Sequence, residues 1–289
     1  MADFIDEIHT LDVPGAQLHV ERVGPTDAPA VLYLHGGPGY NSHSFRSLME
    51  DDLSRYQMIY ADQRGGGRSP ANGPFGLDEL AADVGRILDQ LGLPTATLLA
   101  HGFGATIAIT AATQQPERYP KLLLVGPWVD MPLLSRDLQR EAALQSGNQA
   151  EALPPESSLN PGEAPEPDEL LEQTFDWMAG KQLLDAMQFP KASSRLHLEH
   201  SDAELLAGDD AGLLPAGFWS LSVTNLLPAL QARVIVLVGQ DDKTSYPNQA
   251  ERVLLERPDA LVSLLDAGHY PWLDDADTFT SLVHQVMAL

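Results

Sequence analysis

The sequence predicts an α/β protein built on a doubly wound, mostly parallel sheet with a helical insertion. Short apolar runs of strand length alternate with runs of helical length through most of the 289 residues. Glycine-rich or acidic loops follow several of the apolar runs, as expected where parallel strands end at one edge of a sheet. The alternation stops between residues 127 and 230, which predicts an insertion there.

The first part of the chain contains four predicted strands and two predicted helices. The strands are short apolar runs, and the longer helix has apolar residues at helical spacing before Gly92 and Pro94 end it. In chain order these elements are strands at residues 17–23, 31–34 and 57–61, a helix at 78–91, a strand at 96–99 and a helix at 105–113.

The same alternation continues outside the insertion. The predicted elements are strands at residues 122–125, 234–238 and 261–265 and helices at 249–255 and 279–287. One domain with an insertion fits the length as well as two domains do. We predict one core from residues 1–126 and 231–289, and a lid from residues 127–230 over the edge where the strands end.

The predicted lid differs from the core in composition. It holds 17 acidic and 5 basic residues. Residues 151–172 contain five prolines, seven acidic residues and no basic residue, which predicts a loop. Helices are predicted at residues 170–184 and 203–206.

The charge of the whole chain limits its partners. It carries 41 acidic and 17 basic residues, a formal net charge of −24. Such a field repels nucleic acid and anionic membranes and suits ligands with a cation or an amine. The absence of cysteine excludes disulfides and thiolate catalysis. The first residues lack the pattern of a signal peptide, so we expect a cytoplasmic protein; the sequence leaves the oligomeric state open.

Residues 100–104, Ala-His-Gly-Phe-Gly, have the context of a nucleophile elbow, because they follow a strand and begin a helix. Small residues in such a turn let the backbone bend sharply, so that the central side chain stands above the sheet. The central residue here is Gly102, which has no side chain. Glycine therefore occupies the position at which a serine nucleophile is expected.

Two later loops supply candidate partners, in the chain order nucleophile, acid, histidine. Asp242 follows the strand at 234–238 with the better spacing, and Asp241 is the alternative. His269 follows the last predicted strand and is the candidate general base among nine histidines. A carboxylate in the earlier loop would accept a hydrogen bond from this imidazole and hold its tautomer.

An oxyanion hole requires backbone N–H groups beside the nucleophile. Phe103, directly after the centre of the elbow, would supply one of them. The glycine-rich loop at residues 35–39, His-Gly-Gly-Pro-Gly, would supply the other from Gly37.

Together these motifs resemble the α/β-hydrolase superfamily and, within it, the prolyl iminopeptidase-like group. The resemblance rests on the loop at 35–39, on Asp-Gln-Arg-Gly-Gly-Gly-Arg-Ser at 62–69, and on the placement of Asp242 and His269. It covers residues 15–126 and 230–289. It implies an eight-stranded α/β-hydrolase fold, no metal, no organic cofactor, and release of an N-terminal residue, often proline, from peptides or amides.

The resemblance also implies that carboxylates of the lid hold the free α-amine of a small-molecule or short-peptide substrate. Glu199 is the first candidate for this role and Glu204 is the second. An acidic lid suits an ammonium group, since hydrogen bonds between opposite charges are the strong ones.

The family has serine at the position of Gly102, and no nearby residue replaces it. Four interpretations stay open: a deliberately disabled serine hydrolase, a natural pseudoenzyme that binds a small molecule or partner, hydrolysis by a water that His269 activates, and base chemistry such as proton abstraction beside a carbonyl. The retained acid, histidine and oxyanion loop favour a lineage that hydrolyses amides or esters, with this chain impaired. A non-catalytic binding protein is the main alternative.

Overall fold

The computed structural model describes residues 3–145, 147, 182–202 and 215–289. These residues contain a single eight-stranded sheet. Its strands are β1 (Phe4–Val13), β2 (Ala16–Pro25), β3 (Ala30–Leu34), β4 (Gln57–Ala61), β5 (Thr97–His101), β6 (Lys121–Val125), β7 (Arg233–Gly239) and β8 (Leu261–Leu265).

Helices cover the sheet and fill the described parts of the insertion. They are α1 (His43–Met49), α2 (Leu77–Gln90), α3 (Gly104–Gln114), α4 (Met131–Gln145), α5 (Gln182–Gln188), α6 (Ala192–Asp202), α7 (Asn248–Glu256), α8 (Pro271–Asp274) and α9 (Ala276–Ala288). Two short 3₁₀ helices, Phe218–Ser220 and Thr224–Ala229, precede β7. Among the described helices, none is long and apolar enough to cross a bilayer.

The strand order places the candidate motifs next to one another. The sheet runs β1-β2-β4-β3-β5-β6-β7-β8, with β1 and β2 antiparallel to their neighbours and the rest parallel. From β3 the chain moves to β4 on one side and then returns to β5 on the other. Such a reversal opens a crevice at the carboxyl ends of the strands. The glycine-rich loop and the elbow follow β3 and β5, which pair directly, Leu34 opposite Ala100.

Apolar side chains fill both faces of the sheet. One cluster packs α2 and α3 against one face, and a second packs α1 and α9 against the other. Because both faces are covered, the central strands are mostly apolar and almost wholly buried, and all five residues of β5 are buried. The loops after these strands are therefore held by a rigid support.

The predicted fold class is confirmed, and each predicted element outside the insertion lies within three residues of an observed one. The sequence did not predict β1, α1, α4, α6 or α8. Strand β1 is an edge strand whose residues are mostly exposed and partly acidic, so it lacks an apolar signal. The predicted helix at 203–206 and most of the one at 170–184 lie outside the described residues. The division into core and lid stays a prediction.

Candidate active site

Gly102 forms the sharp turn between β5 and α3. Its φ of +51° lies in the left-handed region, which glycine adopts freely and other residues only at a cost. A Cβ atom built on Gly102 would lie 3.2 Å from His269 Nε2 and 3.5 Å from Gly36 Cα. Gly104 lets α3 approach β3 closely, since a Cβ there would lie 2.3 Å from the Leu34 carbonyl oxygen. A side chain at position 102 would thus point at His269.

His269 and Asp242 form a buried pair on the loops after β8 and β7. His269 Nδ1 donates to Asp242 Oδ2 at 2.7 Å, and the two residues are 2% and 0% exposed. Because Nδ1 carries the donated proton, the neutral imidazole keeps a lone pair on Nε2. That lone pair faces the position of the missing side chain, which is the geometry of a general base beside a nucleophile.

Two further residues fix this pair, and the sequence analysis assigned a role to neither. Thr244 donates to Asp242 Oδ1 from its Oγ1 at 2.6 Å and from its backbone at 2.9 Å. A Cβ on Gly126 would lie 2.9 Å from His269 Nδ1 and 3.1 Å from Asp242 Oδ2. A threonine two residues after an aspartate is a signal for a local turn of this kind. Gly126 directly follows a strand, but nothing local shows which side chains approach it.

Aromatic rings surround the imidazole of His269. Trp128 stacks on it with ring centroids 5.4 Å apart and an interplanar angle of 26°. The ring of His101 lies 4.4 Å away, and its Nε2 donates to the His269 carbonyl oxygen at 3.0 Å. Burial lowers the pKa of His101 well below its ordinary value, so that this histidine stays neutral. His101 is therefore a neutral support of the His269 backbone.

The two predicted oxyanion donors lie on adjacent loops. Gly37 has a φ of +118°, and its loop reaches the elbow where Gly36 approaches Gly102. Within the described ranges, the backbone N–H groups of Gly37 and Phe103 donate to no acceptor. Backbone donors without a partner in the protein are available to an incoming oxygen.

The second motif, residues 62–69, supports the glycine-rich loop. Gln63 donates from its backbone to His35 Nε2 at 2.9 Å and from its side chain to the His35 carbonyl oxygen at 2.8 Å. A Cβ on Gly66 would lie 2.8 Å from the Tyr40 carbonyl oxygen, so glycine permits this close approach. The motif therefore acts on the site through the loop that it holds.

The other predicted site residues do not reach the pair. Asp241 is exposed, and Asp242 makes the contact with His269. Glu199 is exposed, with its carboxylate 2.8 Å from Arg195 on the same helix. Glu204 lies outside the described residues. In the part of the chain that the structure describes, no group of three His, Asp or Glu residues is placed to hold a metal ion.

The eight-stranded sheet with its flanking helices is an α/β-hydrolase fold. Residues 29–276 match the alpha/beta hydrolase fold family, and the chain belongs to that family. The chain is also similar to the crystal structure of a proline iminopeptidase-related protein from Thermus thermophilus, at 34% identity and a TM-score of 0.83 over 98% of both chains. The predicted prolyl iminopeptidase-like group is thereby confirmed.

Curated relatives match over shorter stretches. A putative carbamate hydrolase from Variovorax paradoxus is 34% identical over 116 residues, 38% of this chain and 42% of that protein. A proline iminopeptidase from Neisseria gonorrhoeae is 30% identical over 135 residues, 44% of this chain and 40% of that protein. The matched stretches thus span less than half of each of these relatives.

Proposed function

We propose that this chain is a serine-hydrolase scaffold for amide or ester bonds, of aminopeptidase type, and that Gly102 impairs it. In this proposal His269 is the general base and Asp242 holds its tautomer. The amides of Gly37 and Phe103 form the oxyanion hole, and position 102 is that of the nucleophile. No metal or organic cofactor takes part.

The observation that carries the proposal is the direction of the missing side chain at Gly102. A Cβ there would lie 3.2 Å from His269 Nε2, the ring nitrogen that Asp242 does not bind. A serine Oγ extending from that Cβ would fall close to a proton acceptor whose orientation is already fixed. The Cβ contact is tight, so we expect His269 to yield by a few tenths of an ångström.

The size of the impairment follows from known serine hydrolases. In subtilisin, removing the nucleophile lowers turnover by about 10⁶-fold, and binding and the oxyanion hole retain about 10³–10⁴-fold over water. The chain with Gly102 keeps the elements responsible for that residual rate. It lacks the atom that would form an acyl-enzyme.

The proposed substrate is a small molecule or short peptide with a free amine. Support comes from the net charge of −24 and from the similarity to proteins named as proline iminopeptidases. Glu199 and Glu204 stay the predicted amine ligands, although Glu199 pairs with Arg195 in the structure.

If Glu199 binds the amine, Glu199→Gln should weaken turnover of free-amine substrates and spare N-blocked esters. A cytoplasmic location stays a prediction.

The test compares three proteins: the chain itself, its Gly102→Ser variant and the matched Gly102→Ala variant. The alanine variant adds the Cβ without the hydroxyl, so it controls for the backbone conformation. Each is assayed on a panel of aminoacyl p-nitroanilides, proline included, and on short p-nitrophenyl esters. We expect the serine variant alone to turn over, at least about 10³-fold faster than the others.

Two other outcomes would overturn the proposal. Equal turnover by all three proteins would favour a water activated by His269 or another base reaction. No turnover by any of them, with all three folded, would favour the binding protein.

A further inference from the structure

Residues 187–194, which join α5 to α6 in the insertion, contact both loops that carry the buried pair. We propose that this brace segment is a positioning element that fixes the position of His269 relative to Asp242. The proposal rests on the proposed function in one respect: this pair is taken as the reacting one. It adds a role for a part of the insertion that neither the motifs nor the family similarity assign.

Two consecutive carbonyl groups at the end of α5 accept hydrogen bonds from the two loops. The backbone N–H of His269 donates to the Gln188 carbonyl oxygen at 2.9 Å. The backbone N–H of Lys243, the residue after Asp242, donates to the Met187 carbonyl oxygen at 3.0 Å. The last carbonyls of a helix have no partner within it, so they are free for these bonds. One helix end therefore fixes the acid loop and the histidine loop together.

Gly268 permits the close approach of the brace segment. A Cβ on Gly268 would lie 2.1 Å from the Gln188 carbonyl oxygen and 2.3 Å from Pro190 Cδ. Any other residue would push the segment away from the histidine loop. This explains a glycine directly before His269 by a contact with the insertion.

Asp274, at the end of α8, connects the histidine loop to α6. The backbone N–H of Gly268 donates to Asp274 Oδ2 at 2.7 Å. The hydroxyl of Ser194 donates to the other oxygen of the same carboxylate. Lys191 Nζ also donates to the Asp274 carbonyl oxygen, at 3.0 Å. One carboxylate thus binds the residue before His269 and the first turn of α6.

Ring stacking adds a contact on the other side of His269. Phe189 stacks on Tyr270 with centroids 4.8 Å apart and an interplanar angle of 10°. The guanidinium of Arg195 lies over the ring of Phe189, 5.6 Å from its centroid. The residue after His269 is therefore fixed by the same segment as the residue before it.

These contacts matter because the pair joins two separate loops. Asp242 and His269 are 27 residues apart and follow different strands. The His269 peptide is held at its N–H by Gln188 and at its carbonyl oxygen by His101, 3.0 Å away. A displacement of about 1 Å at a reacting group lowers rates by about 10²-fold. A segment that contacts both loops can therefore control turnover without touching substrate.

The test replaces Asp274, which contacts the brace segment and does not touch His269. Asp274→Ala removes both acceptors, whereas Asp274→Asn can still accept from Gly268 and donate to Ser194. Asp266→Ala is the matched control, because it removes an exposed carboxylate of the same loop that binds Gln240 at 2.9 Å. Each substitution is made in the unmodified chain and in the Gly102→Ser background.

The unmodified chain is examined by NMR, through the resonance of the His269 Nδ1 proton, which a His269→Gln variant assigns. This measurement needs no activity. It therefore tests the role of the brace segment separately from the proposed function. We expect Asp274→Ala to shift and broaden the resonance, and Asp274→Asn and Asp266→Ala to preserve it. In the serine background, we expect Asp274→Ala to lower kcat about tenfold or more with KM within about twofold, and Asp274→Asn to restore most of kcat.

An unchanged Nδ1 resonance in a folded Asp274→Ala variant would overturn the proposal, whatever the serine variant does. A rise in KM alone, with kcat intact, would also contradict it. Should Asp274→Ala fail to fold, Phe189→Ala and Ser194→Ala each remove one contact of the segment. The double variant must then shift the resonance, or the proposal is wrong.

Discussion

Two buried carboxylates in this molecule follow strand ends and differ in the groups that donate hydrogen bonds to them. Asp62 and Asp242 are both 0% exposed. Asp62 accepts from the backbone and hydroxyl of Ser42 and from the backbone and guanidinium of Arg68, at 2.7 to 3.1 Å. Asp242 accepts from Thr244 and from His269, whose second ring nitrogen faces Gly102.

The surroundings of Asp62 make it a fixed charge. Burial alone would raise its pKa, but the hydrogen bonds and charge of Arg68 outweigh burial and lower the pKa to about 2. Arg68 also pairs with Glu21, which itself pairs with Arg46 at 2.6 Å. The guanidinium donors of this network are bound to acceptors outside the candidate site. Its role is to hold the loop at 62–69 to Ser42, directly before α1, and to Glu21 on β2.

The comparison teaches that burial and charge alone do not identify a functional carboxylate. The difference lies in the partner: the guanidinium of Arg68 binds Asp62, Glu21 and Ser42, whereas His269 keeps Nε2 free of any protein partner in the described residues. A group that keeps one hydrogen-bonding atom free beside a turn can react with a substrate. A network whose groups are hydrogen-bonded to one another can only stabilise the fold.

The largest expected effect is the loss of kcat on replacing Asp242. In the Gly102→Ser background, Asp242→Asn should lower kcat by about 10⁴-fold, because the imidazole would lose the tautomer that places a lone pair on Nε2. The measurement is turnover of the best substrate from the panel. Asp241→Asn is the matched control and should retain activity; the reverse result would show that the wrong acid is assigned.

The next largest effect is the loss of stability on replacing Asp62. Asp62→Asn should lower the free energy of unfolding by about 2–4 kcal/mol, since it leaves Arg68 short of one buried partner. Urea denaturation measures this change. In the serine background the folded variant should keep kcat within about tenfold, far above the Asp242→Asn variant. A loss of kcat as large as that of Asp242→Asn would show that Asp62 is needed for turnover as much as Asp242 is.

The buried histidines and the buried carboxylates should affect stability in different pH windows. Burial lowers the pKa of His35 and His101 below 6.5, so the unfolded chain binds more protons and stability falls as pH drops below that value. Asp62 and Glu21 have their pKa values lowered to about 2, so their stabilisation is lost only between about pH 4.5 and 2.

Urea denaturation at pH 8 and pH 5.5 separates these contributions. His101→Gln should reduce the loss of stability between the two pH values. Asp62→Asn should not reduce it, because the charge of Asp62 raises the pKa of His35 and so opposes the effect of burial. Equal pH dependence in His101→Gln and the unmodified chain would show that His101 does not carry the effect.

The smallest effect concerns the elbow itself. Gly102→Ser and Gly102→Ala should each lower the free energy of unfolding by about 1 kcal/mol, because both place a side chain at a φ of +51°. Thermal and urea unfolding of the two variants measure this. A much larger loss in the serine variant alone would indicate that its hydroxyl clashes with His269 instead of pairing with it.

The sequence predicted the fold class, and its motifs named the residues that the structure brings together at the sheet edge. Gly102, Asp242 and His269 were accessible to prediction because each closely follows a strand, and parallel strands end at one edge. Thr244 has a local signal, the aspartate two residues before it. Gly126 and Gly268 had none, since their close neighbours lie far away in the sequence.

The insertion was the least predictable part. Helix α6 carries polar residues on most of its surface, so its apolar spacing is weak, and the sequence analysis missed it. The brace segment acts through backbone carbonyls and one distant carboxylate, Asp274. Every residue type has a backbone carbonyl, so such contacts cannot be recognised from the sequence. Glu199 was the first candidate for the lid carboxylate that the resemblance implies, and the resemblance does not show that Arg195, four residues earlier, pairs with it.

The site lacks only the side chain of the nucleophile in this account. The most direct measurement is labelling by a serine-directed fluorophosphonate, followed by mass spectrometry of the peptide that contains residue 102. We predict that the Gly102→Ser variant is labelled at that residue, that Asp242→Asn slows the labelling, and that the unmodified chain and the Gly102→Ala variant are not labelled. A folded Gly102→Ser variant that stays unlabelled would contradict the account.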